Sequence, residues 1–156
     1  MRYATKLYPG AIVPHTIEDE TVNMALFGKL FSLDICDSDI YFAASLDGYV
    51  GASAFIFCFG IDHPPSLKEV IDIWELDKKD REEAILLVGC KVDTRVNRDN
   101  AGAYHEEKFV SFEKGMEMAR HIGASIYLEC STKTGENIEE VFHHAVRLSL
   151  RAKAVV

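Results

Sequence analysis

Two short polar clusters carry residue types suited to reading a planar ring. Cys90-Lys91-Val92-Asp93 follows the apolar run Ala84–Gly89, and Ser131-Thr132-Lys133 follows Ser125–Cys130. A carboxylate such as Asp93 can accept two hydrogen bonds from adjacent donors, which guanine presents through its N1–H and exocyclic amine. Adenine offers no such pair, so Asp93 would set base specificity. The Lys91 stem can lie flat on an aromatic ring, and backbone N–H groups near Thr132 can donate to the base carbonyl. The plain alternative is a pair of ordinary polar loops after strands.

Other residues invite chemistry with less support. Cys90 and Cys130 suggest a redox pair across the two clusters, but two buried small residues at strand ends is the favoured reading. His143-His144 suggests a metal. Adjacent helical residues point about 100° apart, so an exposed helix flank suits them better. Tyr41-Phe42 reads equally as a recognition patch or as space filling.

The elements that must position these groups follow from hydrophobic pattern. Thr21–Leu26 and Phe31–Cys36 read as strands of a hairpin turning at Phe27-Gly28-Lys29. The stretch from Asp37 to Gly51 reads as irregular or weakly helical. Ala52–Ile61 is nearly all apolar, as suits a strand covered on both faces. Pro64-Pro65 interrupts the chain, and Ser66 with Glu69 fits a capping box opening a helix over Leu67–Lys78. Ala84–Gly89 and Ser125–Cys130 are further buried strands. Lys91–Tyr104 reads as loop. Ser111 caps a helix reaching about Ile122, ended by Gly123. Asn137 and Glu140 open a last helix to about Lys153, with Ile138, Val141, Phe142, Ala145 and Leu148 on its apolar face. A hairpin followed by alternating strands and helices implies a parallel sheet wrapped by helices, with ligands at the carboxyl ends of its strands. That directs attention to Asp37, Asp62, Cys90–Asp93 and Cys130–Lys133.

The chain has 156 residues, 48% of them hydrophobic, enough for one globular domain over 1–156. Its formal charge of −8 disfavours nucleic acid and supplies no polybasic membrane patch. Four scattered cysteines without a C-x-x-C pair read as reduced thiols of a cytoplasmic protein. No signal peptide, membrane-spanning run or C-terminal prenylation box is expected, hence no direct membrane anchor.

In this order the motifs resemble a small GTPase of the Rho type. ILLVGCKVD is similar to the family's strand ending in NKxD, and YLECSTKT to its ECSAKT. GASAFIFCFGIDHPPSLKEVIDIW resembles the Rho strand and helix with Asp-Ser-Pro-x-Ser-Leu and a Trp. YPGAIVPHTIEDE looks like the approach to switch I, and DICDSDIYF sits where the family has Asp-Thr-Ala-Gly-Gln-Glu. The resemblance covers about Tyr8 to Lys153. It implies a P-loop NTPase, Ras-like three-layer α/β fold with a mostly parallel sheet and one antiparallel hairpin. It also implies a Rho-type insert at about 97–110, with an extra helix over Ala101–Lys108. It implies GTP or GDP with Mg²⁺ as ligands, a guanine site of Lys91, Asp93, Ser131, Thr132 and Lys133, and a Mg²⁺ site of Asp37 and Thr16.

Departures from the family pattern set the functional expectation. The family's first strand, P-loop and most of its first helix have no counterpart, and Met1–Pro9 matches only that helix's end. Losing about four charge-assisted bonds to phosphate costs on the order of 6–12 kcal/mol, or ~4–8 decades of affinity. The switch I Thr aligns with His15, the switch II Gly with Ile40, its Gln with Tyr41, and the base-reading Asn with Cys90. The expectation is a pseudo-GTPase in signalling, binding regulators or effectors of Rho GTPases, with no residue assigned to catalysis. Glu18-Asp19-Glu20 reads first as a solvated loop, while the resemblance implies a region that pairs with effectors and regulators. The alternatives are a fragment or isoform of a genuine GTP-hydrolysing switch, and an unrelated flavodoxin-like binding module. Without the central strand, Phe31–Cys36 is expected either to pair directly with Ala52–Ile61 or to leave a slot for a partner's strand.

Overall fold

The computed structural model describes residues 19–37, 51–77, 83–96 and 109–153. It begins with an antiparallel hairpin, β1 (Glu20–Leu26) and β2 (Lys29–Ile35). Leu26 faces Lys29 across a two-residue turn, with φ of 52° at Phe27 and 72° at Gly28. Positive φ at both central residues matches the twist of the flanking strands. Period-two patterning puts Met24 opposite Phe31 and Val22 opposite Leu33 on the inner face. The hairpin's outer face carries Thr21 and Asp34, whose side chains bond at 2.7 Å.

Three parallel strands follow, in the order β3 (Ala54–Gly60), β4 (Ala84–Cys90), β5 (Ile126–Glu129). Apolar β4 is central and buried along almost its whole length. Its alternating side chains serve two cores. Leu86 and Val88 meet Ile138, Val141 and Ala145 of the last helix and the hairpin's Met24 and Leu26. Ile85 and Leu87 meet Phe59, Leu67, Val70, Ala119 and Tyr127 on the opposite face. The layers are therefore helix, sheet and helix, as the alternating sequence pattern predicts.

Helix α1 spans Pro64–Asp77, and its start corrects the expected capping box. Proline favours the first helical turn, where its missing N–H has no partner to lose. Ser66 thus lies inside the helix, where its hydroxyl donates to His63 O (2.7 Å) and accepts from Gly60 N (3.0 Å). A four-residue helix α2, Asp93–Val96, stands inside the stretch expected as loop. Helix α3 spans Phe112–His121, and the Ser111 side chain accepts from Lys114 N at 3.1 Å as an N-cap should. Gly123, at φ 71°, ends it. Helix α4 covers Ile138–Lys153. Asn137, expected as its cap, instead turns its amide to donate to Glu129 O at 2.9 Å.

β2 does not pair with β3: the hairpin forms its own two-stranded sheet. It joins the domain through side chains, with its inner apolar face on the α4 core and Arg147 lying 5.3 Å from the Phe27 ring centroid. Burial of apolar area, not a backbone ladder, holds it there. β3 is consequently an edge strand among the described residues. Among the described residues its side chains are mostly half-buried and Cys58 is exposed, short of the expected coverage on both faces. The insert at 97–110 and the helix expected at Ala101–Lys108 fall almost wholly outside the described residues.

Candidate functional site

Both polar clusters lie at carboxyl ends of neighbouring parallel strands. After β4 the chain turns through Lys91 at φ 67°. This left-handed conformation is unfavourable for a residue with a side chain. It is held by Thr94, whose N and Oγ1 both donate to Lys91 O at 2.9 and 2.7 Å. Asp93 thereby becomes the first residue of α2.

After β5 the chain closes a compact loop on Ser131. Ser131 N donates to Glu136 O (3.0 Å), and Gly135 N donates to Ser131 O (2.8 Å). The Ser131 hydroxyl donates to Asp93 Oδ1 at 2.5 Å and accepts from Thr134 N at 3.1 Å. Fully buried Ser131 is thus the pin between the two loops. Lys133 Nζ lies 4.0 Å from Asp93 Oδ2. Thr132 is exposed between them.

The structure brings Lys91, Asp93, Ser131, Thr132 and Lys133 to one end of the sheet, the arrangement a base-reading loop pair needs. Lys91 does not stand alone there: its Nζ is 3.1 Å from Asp62 Oδ2. The other Asp62 oxygen is buried without a hydrogen-bond partner among the described residues. Cys90 directs its side chain into the sheet face beside other thiols and presents no amide. Asp37 is exposed just beyond β2. After the Cys90 thiol and burial, its carboxylate is one of the charges that raise the Cys58 thiol. Thr16, His15, Ile40 and Tyr41 lie outside the described residues. Among the described residues no group of His, Cys, Asp or Glu is arranged to hold a metal ion. His143 and His144 lie half-buried on α4, with His144 Nε2 4.0 Å from Glu140 Oε2.

Sequence reasoning missed the network beneath the loops. Arg95 of α2 forms a forked ion pair with Glu129 of β5, with Nη2 to Oε1 at 2.8 Å and Nη1 to Oε2. Arg95 Nη2 also donates to Val110 O at 2.7 Å, and the Tyr127 hydroxyl donates to Glu129 Oε1 at 2.7 Å. The signal was a lone carboxylate inside the apolar run SIYLEC, since a buried carboxylate requires partners. Burial, then the bond to Glu129, push the Tyr127 phenol far above its ordinary range. In the unfolded chain this phenol loses its proton near pH ~10, whereas the folded protein retains it. The unfolded state then binds fewer protons, so stability falls as pH rises, by about 1.4 kcal/mol per pH unit above ~10. Urea unfolding between about pH 9 and 11 should show this slope reduced by one proton's worth in Tyr127→Phe relative to the native chain.

A hairpin leading into parallel strands, with lysine–aspartate and serine–lysine loops at their carboxyl ends, defines a Ras-like α/β domain. The Ras family model matches residues 1–151. GTP-binding protein RHO1 of Candida albicans is 33% identical over 153 residues, covering 94% of this chain and 77% of that protein. Rho-related GTP-binding protein RhoD of Homo sapiens is 30% identical over 160 residues, covering 98% and 76%. Rho-related GTP-binding protein RhoE of Homo sapiens is 30% identical over 151 residues, covering 92% and 62%. The chain belongs to the Ras family of small GTPases, on its Rho branch. Members of this family bind GTP or GDP with Mg²⁺ and interact with effectors and regulators. No helix among the described residues is long and apolar enough to cross a membrane.

Proposed function

We propose that this chain is a Rho-type signalling protein that acts through protein–protein contacts and holds guanine nucleotide weakly or not at all. The observation that carries this reading is Cys90. It stands where the family reads the base through an asparagine amide, and its thiol faces other thiols instead. Two further features support it. Lys91 is drawn to Asp62, and one Asp93 oxygen is already engaged by Ser131. In the sequence, Ile40 and Tyr41 replace the glycine and glutamine that serve hydrolysis in the family. The exposed Phe27 and Leu30 at the hairpin tip suit protein contact, being 69% and 74% accessible in a chain with a well-formed core.

A second reading, a GTP-binding switch, draws support from the assembled Asp93, Ser131 and Lys133. In that case Asp93 would read the guanine edge, the Lys91 and Lys133 stems would flank the ring, and Asp37 with Thr16 would serve Mg²⁺. Titration calorimetry with GDP and GTP, with and without Mg²⁺, separates the two. The expected result is no saturable heat from a protein whose thermal transition is cooperative. Saturation at micromolar nucleotide, lost in Asp93→Ala, would overturn the proposal in favour of the switch.

A further inference from the structure

By strand register Cys58, Cys90 and Cys130 share one face of the parallel sheet, toward its carboxyl end. The β4–β5 register ends with Gly89 opposite Glu129, which makes Cys90 and Cys130 the next laterally opposed residues. Cys130 N donates to Gly89 O at 2.9 Å, as the next rung of a parallel ladder requires. Neighbouring strands lie about 4.8 Å apart, inside the ~4.4–6.8 Å between Cα atoms that a disulfide spans. Cys58 is placed differently. It faces Val88, one side-chain repeat short of Cys90. That diagonal is about 7–8 Å, beyond the ~7 Å limit for bridging without backbone movement.

The three thiols also differ in exposure and in protonation. Cys130 is 3% accessible, Cys90 half-buried and Cys58 exposed. The neighbouring Cys130 and Cys58 thiols, with Lys91 alongside, draw the Cys90 thiol well below its ordinary range against the opposing effect of burial. Cys130, beside Cys90 and itself buried, is raised. Cys90 is therefore the thiol suited to attack, and Cys130 the one suited to resolve.

We propose that Cys90 and Cys130 are a reversible redox pair that reacts with a small oxidised thiol such as glutathione disulfide. The Cys90 thiolate attacks one sulfur of glutathione disulfide, whose S–S bond breaks and releases one glutathione thiolate. That thiolate takes up the proton that Cys130 gives up. The Cys130 thiolate then attacks Cys90 Sγ in the mixed disulfide and expels the second glutathione, which takes a proton from solvent in place of the one lost by Cys90. Two protein thiols are oxidised and one glutathione disulfide is reduced to two thiols. The product bond joins the roots of the loops bearing Asp93 and Ser131, and its formation does not depend on nucleotide.

The full chain, equilibrated in a series of glutathione redox buffers near neutral pH, acid-quenched and mapped by mass spectrometry, tests this. The expected product is lower in mass by two hydrogens, with a peptide linking Cys90 to Cys130, reversed on raising the reduced glutathione. Cys58→Ser should retain that cross-link, and Cys130→Ser should instead accumulate glutathione on Cys90. A stable glutathione adduct on Cys90 in the native chain, a link through Cys58 or Cys36, or unmodified thiols in the most oxidising buffer would each overturn the proposal. The native chain alone decides these outcomes, so a variant that fails to fold does not blunt the test.

Discussion

Glu129→Ala is expected to lower the unfolding free energy by about 3 kcal/mol, the lower part of the range for breaking a buried ion pair. Glu129 is 9% accessible and receives three hydrogen bonds, from both Arg95 nitrogens and from the Tyr127 hydroxyl. Alanine would leave the Tyr127 hydroxyl unsatisfied and the Arg95 guanidinium with only Val110 O from this network. Arg95 is 26% accessible, so water relieves part of that cost, which sets the estimate below the maximum. The loss is a large fraction of the ~5–15 kcal/mol typical of a whole domain. Glu129→Gln, still able to accept from Tyr127, should lose less. Urea unfolding of Arg95→Ala, Glu129→Ala and the double variant should give a coupling energy of about 1–3 kcal/mol. Strictly additive losses would show that the two residues do not act as a unit.

The second large effect runs against helix propensity. Alanine in place of glycine inside an exposed helix ordinarily gains about 1 kcal/mol. Gly115 of α3 is buried, and a methyl group there would overlap the Tyr127 ring at Cζ and Oη. The ring cannot easily yield. Its hydroxyl is bound to Glu129, Phe59 stacks on it at 6.2 Å, and Phe112 is 5.2 Å away. Overlap this close lies at the upper end of the ~1–3 kcal/mol cost of overpacking, so after the helix gain Gly115→Ala should destabilise by roughly 2 kcal/mol net, read as a lower urea midpoint with unchanged slope. In a Tyr127→Ala background the same substitution should become neutral or stabilising. An equal loss in both backgrounds would refute the ring overlap.

Local signals account for most of what the sequence made legible. The alternation in Thr21–Leu26, the apolar run of β4, the Ser111 cap and the 3.6-residue spacing of α4 each express backbone preference together with one-sided burial. The order of elements then leaves few topologies, and the parallel order β3-β4-β5 follows. The two polar loops were legible because Lys91, Asp93, Ser131 and Lys133 keep a recognisable spacing after those strands.

What failed was decided by neighbours distant in sequence. The helix start at Pro64 is the exception, set by proline's local preference for the first turn, whereas the amide of Asn137 turned toward Glu129 depends on which backbone groups lie within reach. The separate hairpin sheet depends on side-chain packing against α4, which no local pattern in β2 encodes. The sequence by itself determined the family, the element order and the residues offered at the sheet's carboxyl end. Only the tertiary structure decided that Ser131 pins Asp93, that Lys91 turns to Asp62, and that Cys90 and Cys130 come side by side. Those pairings span 38, 29 and 40 positions of sequence. They exist because parallel strands bring the ends of separate βα units to one edge, a proximity set by the fold's register and invisible to any local window.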